Sequence, residues 1–133
     1  MLYVYEVQVV AEAQRKGVGK HLATLAELIA KKNAMKGVLL TSFKNNPASN
    51  DFFLRKLKGY AVSPISPSYA NPLSAEEFTY EILAKLWDPE AEALLKARAD
   101  EARQAWLESD LEEKVMEKLA EGKDSKACTR AYS

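Results

Sequence analysis

The chain opens on Met1-Leu2-Tyr3-Val4-Tyr5-Glu6-Val7-Gln8-Val9-Val10, a run of Tyr, Val and Leu that reads as a strand. It has neither the basic n-region nor the small-residue cleavage site of a signal peptide. After Gly17-Val18-Gly19, the apolar residues Val18, Leu22, Leu25, Ala26 and Ile29 recur at three- and four-residue spacing, which predicts a helix with those side chains on its core face. Lys16, Lys20, Glu27 and Lys31 fall on the other side, and the helix is expected to end near Asn33. Lys36 to Phe43, with Val38-Leu39-Leu40 at its centre, predicts a second strand. Two strands joined through a helix are expected to run parallel.

Asn46-Pro47 predicts the start of a second helix, since Asn accepts from free N–H groups and Pro is preorganised for the first helical position. Phe52, Phe53 and Leu57 form its apolar side, Gly59 stops it and Tyr60-Ala61-Val62 is a short extended piece. Pro64, Pro67 and Pro72 mark Ser63 to Ser74 as a loop, and Phe78 to Leu83 reads as a last strand. From Asp88-Pro89 onward Ala, Glu, Leu and Lys dominate, with no Gly until Gly122. That composition predicts a helix of some thirty residues, with Leu95, Ala99, Ala102 and Trp106 on one face and Leu111, Val115, Met116 and Leu119 on a stripe after Ser109-Asp110, where a break is expected. The fold class is therefore α/β (α+β), a β-α-β-α-β-β core over residues 1–86, a helical extension over 87–122 and a flexible tail over 123–133.

At 133 residues the chain is one domain's worth. No apolar run approaches the roughly 18 residues a membrane-spanning helix needs, so no membrane is expected among its partners. Nineteen basic against nineteen acidic side chains argue against a general nucleic-acid binder. The balance is uneven along the chain. Residues 15–58 hold ten basic groups against only Glu27 and Asp51, whereas residues 88–124 hold twelve acidic against six basic. An anionic ligand is expected at the first region. Cys128 and His21 are the only residues of their types, so a disulfide within the chain is excluded, no metal is expected and a reducing compartment is.

Candidate chemistry concentrates at Gln14-Arg15-Lys16-Gly17-Val18-Gly19-Lys20. Free backbone N–H groups and the positive end of a helix meet there, with glycines that let the main chain approach a phosphate. Neither the Rossmann nor the P-loop spacing is present, and a tight turn with solvated lysines is the plainer alternative. Glu6 stands among Tyr and Val at what reads as the sheet centre, where a carboxylate can take a proton from an amine, or remain a solvated strand residue. Asn46 reads as a helix cap.

Gln14-x-x-Gly17-x-Gly19, between a strand and an amphipathic helix, resembles the Q/R-x-x-G-x-G/A acetyl-CoA motif of the GNAT acetyltransferase superfamily. The resemblance covers roughly residues 2–85. It is closest to the NatD-type N-alpha-acetyltransferases of histone tails, through Leu2 to Gln8, Met35 to Val38, Leu40 to Lys44, Phe52-Phe53, Ser66 to Ser68 and Tyr80 to Leu83. It implies acetyl-CoA as cosubstrate, direct transfer of acetyl to the α-amine of a protein N-terminus, histone starts of the Ser-Gly-Arg-Gly type as partner, and a location in cytoplasm and nucleus. By the same resemblance Glu6 is the catalytic base, and Tyr3, Tyr5, Thr41 and Tyr80 bind the substrate end. Backbone groups of Val7, Gln8 and Val9 bond the acetyl carbonyl and pantetheine amides. Arg15, Lys16, Gly17, Val18, Gly19 and Lys20 take the diphosphate, and Asn46 bonds the pantetheine arm. Phe53 stands where many GNAT enzymes carry a Tyr that protonates the leaving thiolate, which leaves the acid unassigned.

A complete GNAT domain has further strands and two helices ahead of the strand at Leu2. The sequence is thus expected to be the C-terminal part of the domain, from a truncated product or incomplete gene model, with self-association through the exposed sheet edge. The helix after residue 87 lies outside the resemblance; its stripe is expected to fold back on the sheet or pair with another helix, and its acidic face to stay solvated or attract basic tails. The alternatives are a GNAT enzyme for small amines or lysine side chains, and an inactive interaction module.

Overall fold

The structure is a computed structural model that describes the backbone of residues 1–131 and the side chains of residues 1–122. The tail expected over 123–133, Cys128 included, has its side chains and its last two residues outside the described residues. Four strands, β1 (Leu2–Val4), β2 (Gly37–Phe43), β3 (Ala61–Val62) and β4 (Tyr80–Leu86), form one sheet in the order β1-β2-β4-β3. β1 and β2 are parallel, as their helical connection requires, while β4 runs antiparallel to both β2 and β3. The helices are α1 (Val18–Lys32), α2 (Pro47–Asp51), α3 (Pro67–Ala70) and α4 (Pro89–Ala131). This is a mixed α/β fold with the expected β-α-β-α-β-β order of its main elements and a long C-terminal helix.

Alternation along β2 buries Val38, Leu40 and Ser42 on one side. Their register partners Leu2, Val4 and Leu83 share that face, and Ala23 and Ala30 of α1 close over it with Phe53, Leu57 and Tyr60. The buried face of α1 is therefore not the predicted one. Val18, Leu22, Leu25 and Ile29 are 39%, 38%, 41% and 53% exposed. The two alanines lack the bulk to hold the helix off β2, so it packs through them. At 100° per residue the larger side chains then fall on the flank beyond β1, where no further strand lies among the described residues.

Several boundaries also move. Only Leu2–Val4 pair in β1, an edge strand, so Glu6 lies past the paired residues and is exposed, not at the sheet centre. The second helix widens after α2 into a π-helical turn, Phe52–Lys56, closed by Leu57 N–H donating to the Phe52 carbonyl at 2.9 Å. The loop expected over 63–74 contains α3 and the start of a 3-10 segment, Pro72–Glu77, each begun by a proline at its first turn. Ser109-Asp110 does not break α4: the helix runs through, and Asp110 pairs with Lys114 one turn on at 2.7 Å. Ala99 on α4 is buried, and the Tyr69 hydroxyl of α3 donates to Asp100 while Arg103 lies 5.3 Å over the Tyr69 ring. No helix is long and apolar enough to cross a membrane among the described residues.

Candidate anion and acyl-transfer site

Gly17 caps α1 from a left-handed conformation, φ 82° and ψ 6°, which favours a residue without Cβ. A Cβ built there would meet nothing within 4 Å, so the approach to this backbone is open. Arg15 is also left-handed at φ 61°. The two together curl the backbone into the kind of turn that gathers N–H groups on one side. The first bond inside the helix is His21 N–H to the Gly17 carbonyl at 3.0 Å. The amides of Val18, Gly19 and Lys20 therefore precede it, and no side chain caps them. Arg15, Lys16 and Lys20 are exposed around them and form no ion pair among the described residues.

Gly19 has a different reason to be glycine. Its Cβ would stand 3.1 Å from Cζ of Phe52, so the π-helical turn presses on α1 at this point. Beneath, Val4, Val7, Leu22, Leu40, Phe53 and Tyr60 line a small apolar crevice between β1 and α1. Phe53 sits edge-on between Phe52 and Tyr60, with ring centroids 5.0 and 5.5 Å away.

Gln14 ties the loop that leads into this turn, its Nε2 donating to the Val9 carbonyl at 2.8 Å. Of the backbone groups expected to meet an acetyl-pantetheine arm at Val7, Gln8 and Val9, the Val9 carbonyl is thus already engaged. The Gln8 amide donates to the Glu6 carboxylate, which orients that side chain in solvent. Tyr3 and Thr41 are brought together, hydroxyl to hydroxyl at 2.8 Å. Phe43 lies opposite Tyr80 and Thr41 opposite Ile82, so Tyr3, Thr41 and Tyr80 occupy one sheet face. Tyr5 is 88% exposed and lies beyond the paired part of the strand. Asn46 caps α2, accepting from Ser49 N–H at 3.2 Å, and its amide nitrogen has no hydrogen-bond partner among the described residues.

Two partly buried polar groupings escaped the sequence reading. Glu27 accepts from the Tyr60 hydroxyl at 3.2 Å and from Lys85 Nζ at 3.0 Å. Burial, then the charge and hydrogen bond of Glu27, push the Tyr60 hydroxyl well above the ordinary tyrosine range. Glu81 accepts from Ser66 and Ser68 and lies 3.9 Å from Lys44. Lys44 also donates to the Ala75 carbonyl at 2.9 Å, fastening the proline-rich segment to β2 and β4. These partners are 58 and 13 to 37 positions apart, beyond any short-range pattern. Among the described residues no group of three or more His, Cys, Asp or Glu could hold a metal ion.

Among solved structures, the chain is similar to a protein from Bacillus anthracis str. Ames assigned as a streptothricin acetyltransferase, crystallised in complex with acetyl coenzyme A. The identity is 23% and the TM-score 0.49, over 65% of this chain and 50% of that one. The chain thus spans about half the length of the structure it matches. The family model described as the Acetyltransferase (GNAT) family matches residues 1–60, from β1 through the amide turn of α1 to Tyr60.

Proposed function

We propose that the chain binds acetyl-CoA and serves an N-alpha-acetyltransferase that modifies a protein N-terminus, with histone-type Ser-Gly-Arg-Gly starts as the acceptor class and cytoplasm and nucleus as its location. The observation that carries the reading is the uncapped start of α1, led by left-handed Gly17, flanked by three cations that form no ion pair among the described residues and contained in the family-matched stretch. Those features fit a diphosphate: anions are stabilised at a helix N-terminus, and open space over Gly17 admits one. The amides of Val18, Gly19 and Lys20 would hold it, with Arg15, Lys16 and Lys20 supplying charge. The Nδ2 of Asn46 would donate to the pantetheine arm.

Acetyl-CoA supplies the thioester whose acyl carbon the amine attacks, forming N–C as C–S breaks. The chain's own part is to orient and to move a proton. An α-amine has a pKa of about 7.7 to 8.0 and attacks only when deprotonated, and Glu6, held by Gln8, is the carboxylate assigned to receive its proton. The Tyr3–Thr41 hydroxyl pair, with Tyr5 and Tyr80, would seat the acceptor's backbone. Phe53 has no proton to give, so the leaving thiolate takes its proton from elsewhere.

Calorimetry with acetyl-CoA tests the cofactor half, and Gly17→Asp, which sets a carboxylate against the diphosphate, is expected to weaken binding at least about tenfold, or roughly 1.4 kcal/mol. Native protein that does not bind acetyl-CoA ends the proposal. Acetylation of a Ser-Gly-Arg-Gly peptide against a polyamine tests the acceptor half, and preference for the polyamine would assign the chain to small-amine chemistry.

A further inference from the structure

Ser42 breaks the pattern of its own strand. Val38, Leu40 and Ser42 turn from β2 into the core, and Ser42 is 2% exposed, at a position where alternation calls for another apolar side chain. A buried hydroxyl is costly unless its hydrogen bonds are made, and here they are. Its single hydrogen goes to Asn50 Oδ1 at 2.8 Å. Toward Ser49 Oγ, 3.1 Å away, it is therefore the acceptor. Asn50 in turn donates from Nδ2 to the Phe43 carbonyl at 3.2 Å.

These contacts converge on Asn46. The Phe43 carbonyl that receives Asn50 Nδ2 also receives the Asn46 N–H, at 3.1 Å. Asn50 N–H donates to the Asn46 carbonyl and Ser49 N–H to Asn46 Oδ1, both at 3.2 Å. The first turn of α2 is thus fastened to the end of β2, and each polar atom of Asn46 other than Nδ2 takes part in the fastening. The far end of the same segment is held as well. There α2 passes into the π-helical turn, whose Phe52 ring stands against Gly19 in the first turn of α1. At 1.5 Å per residue, Asn46 and Phe52 are about 9 Å apart along the axis, so one short strut links the Asn46 amide to the amides of α1.

Resting on the acetyl-CoA site already proposed, we propose that Ser42 and Asn50 are positioning residues for the coenzyme. They hold Asn46 Nδ2 at a set place relative to the amides of Val18, Gly19 and Lys20. One ligand then meets both, its diphosphate on the amides and its amide-bearing arm on Nδ2. Neither Ser42 nor Asn50 touches the ligand; both act through Asn46, by removing the cost of ordering that donor when the arm arrives. A role confined to stability would weaken every ligand of the site alike. Positioning of Nδ2 matters only to a ligand that carries the arm.

Calorimetry on the whole chain with acetyl-CoA and with ADP, which has a diphosphate and no pantetheine arm, reads the two contacts apart. Ser42→Ala removes the donor to Asn50 and the acceptor for Ser49. Asn50→Ala breaks the same network from a partly exposed position, and unchanged circular dichroism verifies that each variant folds. Each is expected to weaken acetyl-CoA binding at least about threefold and to leave ADP within about twofold of native. In an Asn46→Asp background, which keeps the cap and lacks the donor, the same substitutions are expected to cause no further loss. Equal weakening of both ligands overturns the proposal, as does unchanged acetyl-CoA affinity in both variants, or a loss that persists in full in the Asn46→Asp background. A native chain that binds no acetyl-CoA ends the cofactor site itself and this role with it, whereas native binding with insensitive variants ends the positioning role alone.

Discussion

Lys85 on β4 reaches Glu27 on α1 at 3.0 Å, and its ammonium lies 5.6 Å from the centre of the Tyr60 ring. The Tyr60 hydroxyl donates to the same carboxylate, so one acid joins the helix, the last strand and the segment that follows the π-helical turn. Its side chain is 15% exposed and that of Lys85 26%, between the surface pairs that contribute little and the buried pairs whose disruption is costly. Glu27→Gln is expected to destabilise the fold by about 2 kcal/mol, read as a lower urea midpoint at unchanged slope. Because the carboxylate holds two donors, Glu27→Gln and Lys85→Met should be non-additive in a double-mutant cycle.

Tyr60 gives the fold an alkaline limit. Its hydroxyl is raised above the ordinary value by burial and by Glu27, so the folded chain retains a proton that the unfolded chain releases above about pH 10. Stability from this group is complete below that pH and falls as pH rises toward the higher folded value, by up to about 1.4 kcal/mol per pH unit. Tyr60→Phe removes that proton linkage. Urea unfolding at pH 9, 10 and 11 is expected to show a shallower alkaline decline for Tyr60→Phe than for the native chain; parallel declines would place the titration elsewhere.

The order of elements was legible because β-rich runs, Gly17-x-Gly19 and Asn46-Pro47 are local signals, each acting within a few residues. The rotation of α1 was not. Both Val18-Leu22-Leu25-Ile29 and Ala23-Ala26-Ala30 have helical spacing, and hydrophobicity favours the larger set. What decides is which set the sheet can receive, and β2 accepts the alanines because they permit close approach while β1 ends the sheet on that side. Glu27 was read as solvent-facing for the same reason: the rotation that exposes Leu25 carries Glu27 toward β4. At the candidate site, Gly17 and the cations could be read from spacing, but the tie from Gln14 to Val9 and the pressure of Phe52 on Gly19 depend on the folded path. The Ser109-Asp110 break failed because Asp110 finds Lys114 one turn on.

Tyr3→Phe separates the hydroxyl pair from sheet packing. The ring remains on its face while the 2.8 Å bond to Thr41 is lost, and both groups meet solvent, so the stability change is expected to be below about 1 kcal/mol. If the pair seats the acceptor, peptide KM rises several-fold while acetyl-CoA affinity is unchanged. Steady-state kinetics beside calorimetry checks both parts, and an unchanged peptide KM removes the Tyr3 hydroxyl from the acceptor site.

Asn46 can be dissected because its two amide atoms have different tasks. Oδ1 accepts from Ser49 N–H and caps α2, whereas Nδ2 is the atom the proposed pantetheine contact requires. Asn46→Asp keeps an acceptor and adds a negative charge at a helix N-terminus, so stability should stay within about 0.5 kcal/mol of native. Asn46→Ala loses the cap and should cost about 1 kcal/mol. Acetyl-CoA affinity is expected to order differently: both variants lose the donor, and Asp adds repulsion, so Asp binds more weakly than Ala although it is the more stable protein. Thermal unfolding and calorimetry on the three proteins read the two orders independently. Affinity that follows stability would mean that Asn46 acts on the ligand only by shaping α2, while opposite orders assign Nδ2 a direct contact.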